Sequence, residues 1–85
     1  MPTMSRDTLI RRLAGILEDV TGIPADGLQG SSSQADNPGW DSVSNLAFLA
    51  AVEDEFGVSI LTREAMGLRT LTDFAGLLEA KGKTE

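Results

Sequence analysis

A chain of 85 residues with 41% apolar side chains, three Phe, one Trp and no Tyr can build one small domain. Its interior should be mostly Leu, Val, Ile and Ala, and its stability should lie in the lower part of the roughly 5–15 kcal/mol range of single domains. Without Cys or His it has no disulfide framework, no thiolate or imidazole metal site and no imidazole general base, so no catalytic residue is assigned and a non-enzymatic role is expected. The net charge is −6, and no Lys or Arg lies between Leu13 and Thr62, which leaves the middle of the chain purely acidic. Such a surface repels nucleic-acid phosphates and anionic membranes and suits basic patches on proteins, although acidity also serves solubility alone.

The first segment, about residues 5–20, spaces Leu9, Ile10, Leu13, Ile16, Leu17 and Val20 as an amphipathic helix does. Ser5 can cap it, Asp7 falls in its first turn, and Gly22 with Pro24 ends it. Arg6, Arg11 and Arg12 give the start of the chain the basic character of a transit peptide, but Asp7, Glu18 and Asp19 argue against one. No apolar run is long enough to span a bilayer, and a soluble cytoplasmic monomer is the expectation.

Residues 21–41 are rich in Gly, Ser, Asp, Asn and Pro and form a long loop in which only Ile23 and Leu28 should tuck onto the core. Its length is unusual for a small domain unless the loop is functional. It closes on Asn37-Pro38-Gly39-Trp40-Asp41-Ser42, where Pro-Gly favours a tight turn and Asp41 or Ser42 can cap the next helix. Trp40 is expected to anchor the loop over the core.

The second helix should span 42–56 and stop at Gly57. Its periodicity assigns Leu46, Phe48, Leu49, Val52 and Phe56 to a broad core face, with Asn45 there as a hydrogen-bonding plug. Val43, Ala47, Ala50 and Asp54 form an opposite stripe whose first three members are apolar without facing the core, a candidate partner-binding surface. A short helix at 62–66 follows. Thr70 with Asp73 then matches a capping box opening a last helix at 70–81, with Leu71, Phe74, Leu77 and Leu78 inward. No Asp-x-Asp-x-Asp-Gly loop with a trailing Glu is present, which excludes an EF-hand calcium site.

The run Gly39-Trp40-Asp41-Ser42-Val43, followed by Leu46, Phe48, Leu49, Glu53, Glu55, Phe56, Gly57, Val58 and Ile60, resembles the acyl and peptidyl carrier protein family. In that family an Asp-Ser-Leu motif opens the second helix and an acidic, glycine-terminated segment closes it. The resemblance covers nearly the whole chain, long loop included. It implies an all-α, acyl-carrier-like bundle of three main helices plus one short helix, with residues 1–85 as a single carrier domain. It also implies that Ser42 receives 4′-phosphopantetheine covalently from coenzyme A, and that Asp41 helps the transferase hold metal and coenzyme A. A thioester carrier needs a thiol, this chain has none, and an arm on an exposed hydroxyl supplies one. A helix N-terminus would also favour the phosphodiester. Two departures stand out: Val43 where the family commonly has Leu, and Ala47 where fatty-acid-synthesis carriers usually present Glu.

The expected function is therefore a stand-alone, non-catalytic acyl or aminoacyl carrier, holding cargo as a thioester. Ala47 points to a dedicated biosynthetic pathway, of polyketide, nonribosomal-peptide or fatty-acid-related type. The implied partners are a phosphopantetheinyl transferase, a loading ligase or acyltransferase, and a downstream synthase or transferase. The rival reading is an acidic helical protein–protein interaction domain that is never modified.

Overall fold

The computed structural model describes residues 5–82; the outermost positions of the expected 1–85 domain lie outside the described residues. Among them run α1 (Arg6–Thr21), a 3-10 turn (Ala25–Gly27), α2 (Ser42–Phe56), α3 (Thr62–Ala65) and α4 (Leu71–Ala80). The architecture is the all-α bundle of three main helices and one short one that the sequence predicts. Helix α1 packs against both α2 and α4, because Leu9, Leu13 and Leu17, each four residues from the next, bury one continuous stripe.

Local signals set the helix ends. The Ser5 side chain accepts from the Thr8 amide at 3.1 Å and caps α1. Thr70 and Asp73 form the predicted capping box, so the last helix begins one residue later than expected, at Leu71. Gly57 ends α2 at φ 65°, with its amide on the Glu53 carbonyl, a left-handed conformation that costs a residue with Cβ roughly 1 kcal/mol or more.

The interior is richer in aromatic rings than the composition suggests. Trp40, Phe48 and Phe74 are all buried and touch one another, with ring centroids 4.9–6.3 Å apart. They join the loop, α2 and α4. Five leucines with Ala14, Val52 and Ala75 fill the rest, while Ile10, Ile16, Ile23 and Ile60 are only partly buried at the margin. Leu28 joins them there, as expected for the loop.

The long loop is fixed at several points. Ser33 bridges to Thr70, the Thr72 amide donates to the Gly30 carbonyl at 2.9 Å, and Asn37 Nδ2 donates to the Ser33 carbonyl at 2.9 Å. Periodicity cannot show such bonds, which is why a twenty-residue stretch that reads as loop is nonetheless ordered. Ion pairs close the outside: Arg6 with Glu79, Arg12 with Glu55, and Lys81 with Glu64 at 3.1 Å.

Four carboxyls lie below their ordinary range. The Ser44 amide holds Asp41 down, the Arg69 and Thr70 amides hold Asp73, the Leu61 amide and Lys81 hold Glu64, and Arg6 holds Glu79. A carboxyl whose folded pKa is depressed contributes stability that is present above its unfolded value and lost as pH falls through the folded one. The melting temperature should therefore hold between pH 7 and about 5 and drop below about pH 4. A melting temperature that rose continuously into acid would show that relief of the −6 net charge outweighs these bonds.

Candidate functional site

The site is built where the loop enters α2. Pro38-Gly39 turns the chain, and the Trp40 amide donates to the Asn37 carbonyl at 2.8 Å. The indole of Trp40, 1% exposed, drops into the core, as expected of a loop anchor. Its Nε1 donates to Asn45 Oδ1 at 2.9 Å, so Asn45 is the inward hydrogen-bonding plug predicted for that position. With Trp40 fixed, Asp41 follows in extended backbone and its Oδ1 accepts from the Ser44 amide at 2.8 Å. Asp41 is thus the helix cap, and Ser42 is the first helical residue. That resolves the alternative the sequence left open and relieves Ser42 of a capping role.

Seven serines occur in the chain, and geometry separates them. Ser5 caps α1, Ser32 is buried with its Oγ accepting from the Gln29 amide, Ser33 Oγ donates to Asp36, and Ser44 Oγ donates to the Gly39 carbonyl at 3.2 Å. Ser31, Ser42 and Ser59 are exposed, and no hydrogen bond among the described residues engages the Ser42 hydroxyl. Of these three only Ser42 opens a helix. Its Oγ is free to form an ester, and the early amides of α2 lie beside it. The helix end is already partly neutralised, however, because the Asp41 carboxylate faces it. A phosphodiester on Ser42 would therefore gain less from the helix dipole than the sequence alone suggests. An exposed hydroxyl at an open helix start nevertheless fits a covalently attached phosphopantetheine without displacing any core side chain.

Helix α2 presents Val43, Ala47, Ala50 and Asp54 on one exposed face, as their spacing predicts. The expected core face needs one correction. Leu46 is 69% exposed and lies with Val43, 77% exposed, while Phe48 and Val52 are buried and Leu49 and Phe56 only half-buried. At one hundred degrees per residue Leu46 falls about sixty degrees from Val43 and about one hundred and twenty from Val52. The angle was the available signal, and hydrophobicity alone misplaced the residue. The outer face is therefore more apolar than the four-residue stripe: Val43, Leu46, Ala47 and Ala50 lie along it and Asp54 ends it. The neighbouring acids are engaged elsewhere, with Glu53 Oε2 accepting from the Ile60 amide at 2.7 Å and Glu55 paired with Arg12. Asp54 has no ion-pair partner among the described residues.

Residues 11–78 match the family model described as "Phosphopantetheine attachment site". The chain is 34% identical to an acyl carrier protein of Acidothermus cellulolyticus over 82% of this chain and 83% of that protein. It is 33% identical to a meromycolate extension acyl carrier protein of Mycolicibacterium aurum over 88% of this chain and 77% of that one. An acyl carrier protein of Rhodococcus erythropolis is 32% identical over 92% and 89% of the two chains. The chain belongs to the acyl carrier protein family, whose members are carriers that work with a phosphopantetheinyl transferase and biosynthetic enzymes, and its cofactor is covalent 4′-phosphopantetheine. No helix among the described residues is long and apolar enough to cross a membrane.

Proposed function

We propose that residues 1–85 form a single carrier domain, a cytoplasmic monomer without catalytic activity of its own, whose arm is attached to Ser42 and carries an acyl or aminoacyl cargo as a thioester. The observation that carries this reading is an exposed serine, unengaged by other side chains, at the first position of α2 and directly after a capping aspartate. In the attachment step Ser42 Oγ bonds to the pantetheine-side phosphorus of coenzyme A. The P–O–P bridge breaks, adenosine 3′,5′-bisphosphate leaves, and the hydroxyl proton passes to a base of the transferase. Asp41 supports the step as a carboxylate kept ionised by the Ser44 amide, facing outward where the transferase holds metal and coenzyme A. When bound, the arm supplies the thiol that the chain lacks.

The partners under this reading are the transferase, a loading ligase or acyltransferase, and a downstream synthase or transferase. They dock on Val43, Leu46, Ala47 and Ala50, with a basic residue meeting Asp54. Ala47, apolar and exposed, favours a dedicated pathway. Incubation with coenzyme A and a transferase should add about 340 Da, and peptide mapping should place it on the segment holding Ser42. An unmodified interaction domain would gain nothing.

Val43→Asp, Leu46→Asp, Ala50→Glu and Asp54→Arg should each weaken partner binding by about 1–2 kcal/mol near the interface centre. Melting temperatures should hardly move, since none of these side chains is buried. Loading rates that match wild type in all four would remove this face from the docking surface.

A further inference from the structure

Three hydrogen bonds cross over Ser42 without touching its hydroxyl: Ser44 Oγ to the Gly39 carbonyl at 3.2 Å, the Ser44 amide to Asp41 Oδ1 at 2.8 Å, and Trp40 Nε1 to Asn45 Oδ1 at 2.9 Å. They tie Gly39, Asp41 and Trp40, in that order, to the first turn of α2. We propose that Asn45 and Ser44 are positioning residues for the modification of Ser42: together they clamp Gly39 and Trp40 against the helix and so fix where the Ser42 hydroxyl stands. This inference rests on Ser42 being the attachment site.

The Trp40–Asn45 bond is the stronger arm of the clamp. A buried indole N–H needs an acceptor, and Trp40 cannot move to find another, since its ring packs edge-on against Phe48 at 5.7 Å and beside Phe74 at 6.3 Å. Asn45 stands three residues after Ser42, about sixty degrees from it around α2, and is half-buried where Ser42 is exposed. The core therefore sets the direction in which the loop enters α2, and the effect reaches Ser42 through two residues of backbone. Phosphoryl transfer depends on placement of the attacking oxygen, and a displacement of about 1 Å can cost on the order of a hundredfold in rate. The outer face of α2, with Val43, Leu46, Ala47 and Ala50, does not take part in the clamp, so docking should survive its loss.

The test compares Asn45→Leu, which removes the acceptor at similar size, Asn45→Asp, which keeps it, and Ser44→Ala, which removes the hydroxyl that bonds Gly39 and assists Asp41 while leaving the Ser44 amide on Asp41. Each is assayed with one transferase and coenzyme A at a temperature where circular dichroism shows a folded protein. Asn45→Leu should lower kcat about tenfold and leave KM nearly unchanged, with the emission of Trp40, the single tryptophan, shifted to the red. Asn45→Asp should recover most of the rate and the wild-type emission, and Ser44→Ala should lose about threefold in kcat. A wild-type kcat in folded Asn45→Leu, or an Asn45→Asp variant as slow as Asn45→Leu, overturns the proposal. If Asn45→Leu does not fold, a wild-type kcat in Ser44→Ala overturns it. Failure of the attachment reading looks different: the wild-type peptide map would place the arm on another serine, whatever the rates of these variants.

Discussion

Ser42→Ala is expected to abolish attachment of the phosphopantetheine arm and leave the fold intact. Ser42 is exposed, is the first residue of α2 rather than its cap, and lends its hydroxyl to no hydrogen bond among the described residues. Removing that oxygen therefore removes the nucleophile and little else. A surface substitution of this kind shifts stability by about 0.5 kcal/mol or less. Asp41→Ala is the informative contrast, because it deletes the cap on the Ser44 amide and should cost about 0.5–2 kcal/mol. Intact mass after incubation with coenzyme A and a transferase measures the first effect, and thermal melts measure the second. A Ser42→Ala protein that still gains the arm would move the site, with Ser31 and Ser59 the next candidates, since Ser32, Ser33 and Ser44 already spend their hydroxyls on hydrogen bonds.

The largest loss of stability is expected from Phe48→Ala. Phe48 is fully buried, lies between Trp40 and Phe74 with ring centroids at 5.7 and 4.9 Å, and so joins α2 to the loop and to α4. Truncating a buried Phe costs about 3–5 kcal/mol, a large fraction of what a domain of this size has. The protein should be substantially unfolded under mild denaturant. Leu49→Ala, which the periodicity alone would rank beside it, should cost less than about 2 kcal/mol because Leu49 is only half-buried. Leu46→Ala should change stability by no more than about 0.5 kcal/mol, since its side chain is largely in water. Urea unfolding of the three variants orders them directly. A severe loss in Leu46→Ala with a mild one in Phe48→Ala would mean that α2 presents the opposite face to the core.

The helices were legible in the sequence because each carries its own start and stop. Ser5 and Gly22 bound α1, Asp41 and Gly57 bound α2, and Thr70 with Asp73 opens α4. These are local interactions over three or four residues, and the spacing of Leu9, Leu13 and Leu17 adds the face that must be buried. The carrier class was legible for a related reason: the local run Gly39-Trp40-Asp41-Ser42-Val43, with the acidic segment that closes α2 at Gly57, resembles the motif of the carrier family.

Tertiary structure decided which apolar residues the core could hold. A sequence marks Leu46 and Phe48 as equally hydrophobic, but the bundle has room on one side of α2 only, and the aromatic cluster of Trp40, Phe48 and Phe74 fills it. Leu46 is left outside with Val43. The same packing decided the capping question: the buried indole of Trp40, held by Asn45, sets the chain direction so that the Asp41 carboxylate, rather than the Ser42 hydroxyl, reaches the Ser44 amide. Composition and periodicity describe each residue one at a time. Whether a hydroxyl is left free for chemistry depends on which neighbour reaches the shared amide first, and that is fixed by contacts between elements far apart in the chain.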